Sequence, residues 1–102
     1  MRWRRTAQSD LLHLARWIAQ DNPAAAHRFL DAARAAADML ADLPKLAPAG
    51  RFRSRGLARI RIWPIRGFEK ILMIYAAERT GIDVLRVVHG ARDLDVLELD
   101  PP

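Results

Sequence analysis

Few residues in this sequence are equipped for chemistry, and the densest group is Arg86, His89, Arg92 and Asp93. Arg86 interrupts a largely apolar run, Ile82 to Val88, and His89 ends it. An unpaired guanidinium in a core is costly, so Arg86 must reach an acid or the open face of a sheet. Two readings stay open. In one, Arg86 or Arg92 pairs with Asp93 and fixes the turn after Gly90. In the other, the cations form a cluster that grips a target.

The remaining catalytic repertoire is thin. There is no cysteine, which excludes a disulfide framework and a thiolate zinc site. Ser9 and Ser54 both lack the sharp turn and neighbouring His that a serine triad needs. No glycine-rich phosphate loop is present. His13, His27 and His89 share no metal-ligand spacing, and His13 and His27 fall on polar helix faces. No metal or other cofactor is expected.

The elements that must position these residues follow from periodicity. Met1, Trp3 and Arg5 alternate with Arg2 and Arg4, the pattern of a short half-buried strand. Thr6 reads as the N-cap of a helix over Ala7–Gln20, with Asp10 favouring its positive end. Leu11, Leu14, Ala15 and Ile18 make its apolar stripe. Asn22-Pro23 is the cap and first turn of a second helix, which runs to about Leu43. Phe29, Ala33, Ala36, Leu40 and Leu43 form its stripe. Pro44, Pro48 and Gly50 mark a loop. Arg59 and Arg61 then alternate with Ile60 and Ile62 in a strand, with Pro64 implying an edge position or a bulge. Arg66-Gly67 and Thr80-Gly81 are turns around an interior strand, Ile71–Ala77, followed by Ile82–Val88. Ala91 to Leu99 is read as a short helical turn with an acidic tail.

The expected architecture is α+β, in the order β-α-α-β-β-β. A helical hairpin packs on an antiparallel sheet, because the sheet is the partner available for its stripe. At 102 residues the chain is expected to be one domain, 1–102, with any active surface outside its one core.

Net charge is +5. Arg51, Arg53, Arg55, Arg59, Arg61, Arg66 and Lys70 crowd one segment, opposed by Glu69 alone. Such a segment attracts phosphates or an acidic partner, unless it is an ordinary solvated face. Met1–Arg5 is basic, but no apolar stretch follows, so no signal peptide is expected. No apolar run approaches the roughly 20 residues of a membrane span. A cytoplasmic location without membrane contact is expected.

The segment Arg86-Val-Val-His89-Gly90-Ala-Arg92-Asp93-Leu94 resembles the C-terminal signature of RelE/ParE-family toxins. Asp10-Leu11-Leu12, Asn22-Pro23-Ala24-Ala25, and Trp63-Pro64-Ile65-Arg66-Gly67-Phe68 to Tyr75 match the same family in the same order. The resemblance covers nearly the whole chain. It implies a RelE/ParE-like fold and the toxin of a type II toxin–antitoxin system, a growth-arresting and plasmid-stabilising module. A cognate antitoxin would wrap and neutralise it in a hetero-oligomer.

Two targets divide that family. RelE-like members resemble one another as ribosome-dependent mRNA endoribonucleases. Their chemistry, attack of a ribose 2′-OH on the adjacent phosphate, needs a proton acceptor, a proton donor and cations. The chain departs from their pattern: no Tyr, Phe, Trp or His follows His89, and Lys70 is the only Lys after Lys45. Arg stays protonated and makes a poor general base. ParE-like members resemble DNA gyrase inhibitors, which need a trapping surface and no catalysis of their own. The leading reading is therefore ParE-like, with DNA gyrase as target and a ParD-like antitoxin as partner. The alternative is a RelE-like ribonuclease acting on mRNA at the ribosome, with Arg86 and His89 as its catalytic pair. A third reading is a nucleic-acid-binding module built on residues 51–70. The expected target surface comprises Arg59, Arg61, Arg86, His89 and Arg92. Leu12, Trp17, Arg59, Arg61 and Arg66 are the expected antitoxin contacts, Leu12 and Trp17 on condition that they are exposed and not part of the core.

Overall fold

A computed structural model describes residues 1–48 and 60–90. The elements are β1 (Arg2–Trp3), α1 (Arg5–Asp21), α2 (Pro23–Asp42), β2 (Ile60–Ile65), β3 (Phe68–Glu78) and β4 (Gly81–His89). This is the expected order, and it is the α+β arrangement of the RelE/ParE-like fold.

The sheet runs β1-β4-β3-β2. β2, β3 and β4 form the expected antiparallel meander. β1 joins in parallel on the outer edge of β4, with Arg2 opposite Asp83 and Trp3 opposite Val84, so the whole sheet is mixed. Pro64 lies on the edge strand β2, where the register shifts between Pro64 and Ile65. An edge strand tolerates a residue with no N–H to donate.

The start of α1 differs from expectation. The helix begins at Arg5, and its N-cap, Arg4, makes no side-chain cap bond. Thr6 sits inside the first turn, where its hydroxyl donates to the Leu85 carbonyl at 3.2 Å. The junction with α2 follows its chemistry: Asn22 Oδ1 accepts from the Ala25 N–H at 3.1 Å, and Pro23 opens the helix.

Alternation along β3 and β4 divides the apolar residues between two faces. Ile71, Met73, Tyr75, Ile82, Val84 and Val87 pack with Phe29, Ala33, Ala36, Ala37 and Leu40 of α2 and with Ala7 and Ala15 of α1. Alanines let the helix backbones lie close to the sheet. Phe29 meets Phe68 edge to face, with centroids 5.5 Å apart. A second cluster, Ile60, Ile74, Ala76, Leu85 and Val88, occupies the other face. Leu43, expected in the α2 stripe, is instead exposed, because the helix has already ended at Asp42.

Candidate functional site

Arg86 stands where β4 is irregular. Ile74 pairs with Arg86 and Tyr75 with Val84, so Leu85 is an extra residue in the strand. Such a bulge re-aims neighbouring side chains. Arg86 thereby reaches α1, where Nε donates to Asp10 Oδ2 at 2.7 Å and Nη2 to Asp10 Oδ1 at 3.0 Å. The same Oδ2 accepts the Val87 N–H at 3.0 Å. With Thr6 on the Leu85 carbonyl, these bonds satisfy the outer edge of β4 beyond the short β1. An exposed edge invites another strand, and here α1 closes it. Asp10 of the first helix thus supplies an acid to Arg86.

His89 ends β4 beside a cleft of about 420 Å³ lined by Trp17, Ile18, Phe68, Lys70, Ile71 and His89, among others. The rings of Trp17 and His89 meet at 87°, with centroids 6.3 Å apart. Trp17 is 49% exposed. Nδ1 of His89 is buried and has no hydrogen-bond partner among the described residues. Glu69 accepts from the Gly67 N–H at the turn, where φ is 85° at Gly67. Gly90 follows His89 at close quarters: a Cβ there would lie 2.7 Å from Leu72 Cδ1. The arrangement puts an imidazole, an ammonium and the Glu69 carboxylate on the walls of a largely apolar, aromatic cleft.

A family model described as ParE toxin of type II toxin-antitoxin system, parDE, matches residues 1–94. The chain belongs to the ParE toxin family. It is the toxin of a type II toxin–antitoxin pair, and such a toxin has a cognate antitoxin as its partner. A search of curated proteins returned no match. Among the described residues of this ParE toxin, no helix is long and apolar enough to cross a membrane, and no group of three or more His, Cys, Asp or Glu is placed to hold a metal ion.

The other expected contact residues of the ParE toxin are scattered. Leu12 is 54% exposed on α1, the helix that also carries Trp17. Arg66 is exposed in the β2–β3 turn. Arg61 is partly buried, and its Nη1 donates to the Ala47 carbonyl and, at 3.5 Å, to that of Lys45. Arg61 therefore pins the segment after α2. Tyr75 pins it as well, donating from its hydroxyl to the Pro44 carbonyl at 2.9 Å. Burial pushes the Tyr75 phenol up, against smaller opposing effects from Ala47 and Arg61. Arg59, Arg92 and Asp93 lie outside the described residues, as do Arg51–Arg55 and the acidic tail.

Sequence reasoning missed one cluster. Asp83, buried in β4, accepts from Arg2 Nη2 at 2.8 Å and Arg4 Nε at 3.2 Å. Burial raises its pKa, but the bonds and charges of Arg2 and Arg4 outweigh that and hold the carboxyl below the usual range. Its Oδ1 has no hydrogen-bond partner among the described residues. The signal was available: Asp83 interrupts an apolar strand just as Arg86 does.

Proposed function

We propose that this ParE toxin inhibits DNA gyrase and is neutralised by a ParD-like antitoxin. The observation that carries the reading is the Asp10–Arg86 pair. Both carboxylate oxygens of Asp10 are engaged by Arg86, and the same carboxylate also holds the Val87 N–H. That use of Arg86 fits a scaffold whose surface traps another enzyme better than a cation poised over a reacting phosphate.

In this reading Arg86 and Arg61 act by holding β4 and the segment after α2 in shape. The target contacts are Arg59, His89 and Arg92. The antitoxin contacts are Leu12, Trp17, Arg59 and Arg66. Exposed apolar side chains on one helix suit an amphipathic partner, and the toxin's positive charge suits an acidic one.

The second reading, an mRNA endoribonuclease on the ribosome, draws support from the cleft, where His89 and Lys70 share the lining. An imidazole and an ammonium could serve as acid/base and charge stabiliser for attack by a 2′-OH. Expression of the toxin alone separates the two. Gyrase inhibition predicts growth arrest with induction of the DNA-damage response. Ribosomal cleavage predicts arrest of translation without it, and loss of message cleavage in His89→Ala.

A further inference from the structure

We propose that the Trp17–His89 cleft is a binding slot for one unpaired nucleotide of a single-stranded nucleic acid. This goes beyond the gyrase reading, because it rests on the cleft alone. Four features point the same way.

The first is size and character. At about 420 Å³ the cleft has room for a base with its sugar, and its walls include the apolar side chains of Ile18, Phe68 and Ile71. The second is Trp17, whose half-exposed indole stands over that space. Every base has a π-face, so an indole can stack any of them without reading sequence. The third is His89. Its ring lines the cleft, and its buried Nδ1 has no hydrogen-bond partner among the described residues, so a ring turned toward the cleft would gain one from a base edge.

The fourth is charge around the rim. Lys70 lines the cleft and is exposed. Glu69 is the acid there, and its carboxylate already accepts the Gly67 N–H. An aromatic platform with an ammonium beside it matches a base next to its phosphate.

The test is fluorescence anisotropy of the full-length toxin, freed of antitoxin, with a short fluorescein-labelled oligothymidylate, the matching oligouridylate and a blunt duplex. Both single strands should bind. Trp17→Ala should weaken them about 5- to 100-fold, the range for losing one stacked base, while Trp17→Phe keeps most of the affinity. Lys70→Gln should reduce the slope of log affinity against log salt by about one. Duplex binding should not change with Trp17→Ala. A preference for oligothymidylate would place the slot on DNA, and one for oligouridylate on RNA; either supports it. The proposal is overturned if neither single strand binds. It is also overturned if Trp17→Ala, with an unchanged circular dichroism spectrum, binds like the parent, or if an acidic amphipathic peptide is the only ligand whose binding depends on Trp17.

Discussion

Asp10 of α1 and Arg86 of β4 face each other through two hydrogen bonds, at 2.7 and 3.0 Å, across 76 positions of sequence. The pair joins the first helix to the last described strand and closes the edge that β1 leaves open. It is only partly screened from water, with side-chain exposures of 15% for Asp10 and 29% for Arg86. Asp10→Ala should therefore cost about 1–3 kcal/mol, since it also strands the Val87 N–H. Arg86→Ala should cost a similar amount, and the double variant clearly less than the sum. Urea unfolding of the four proteins in a cycle measures this. Additive losses would show that the pair is not a unit.

Asp83 sets a limit on acid stability. Its folded pKa is lowered, because Arg2 and Arg4 outweigh its burial. The unfolded chain then binds that proton more tightly than the folded one. The stabilisation is present above the unfolded carboxylate value of about 4 and is lost as pH falls through the folded value. Stability followed from pH 7 downward should fall steeply below about pH 4 in the parent. It should fall less in Asp83→Asn, which starts from a lower plateau. Arg4→Gln should lose about 1–3 kcal/mol at neutral pH by leaving the buried carboxylate with one fewer partner.

Tyr75 gives the opposite limb. Burial raises its pKa, so its contribution is complete below the unfolded value near 10 and is lost as pH rises through the folded one. Tyr75→Phe should lack that alkaline decline. At neutral pH it should be less stable by about 1 kcal/mol for the lost bond to the Pro44 carbonyl. Thermal unfolding across neutral and alkaline pH reads both effects.

Much of this could be read from the sequence, and the reasons are physical. Asn22-Pro23 has one reading, because a side-chain cap followed by a residue without an N–H starts a helix. Pro64 marked the edge strand for the same reason. Arg86 is a charge that needs an acid, and Asp10, which suits the helix dipole by its position in sequence, supplies one from far along the chain. Asp93, the local candidate, lies outside the described residues. No periodicity reports that a distant helix will reach this strand. The parallel pairing of β1 was equally hidden: two residues show an alternation but no direction. Thr6 has the side chain of an N-cap, yet the edge carbonyl of Leu85 takes its hydroxyl. Leu12 and Trp17 widen the apolar stripe of α1, so the sequence leaves open whether they are core or exposed; both are exposed. The cleft that Trp17 shares with Lys70 and His89 needs three elements brought together, and no single stretch of sequence contains it.

The antitoxin surface has its own test. Leu12 is exposed on α1, so Leu12→Asp should leave thermal stability nearly unchanged. It should weaken the cognate antitoxin about tenfold or more, as removal of an interface anchor does. Isothermal titration with the purified antitoxin measures it. Unchanged affinity would move the antitoxin off this face of α1.

Gyrase supercoiling of relaxed plasmid, assayed with purified toxin and then with antitoxin added, tests the central claim most directly. The account predicts loss of supercoiling with toxin alone and its recovery when antitoxin is present. Normal supercoiling at toxin concentrations that cleave messages on translating ribosomes would contradict it.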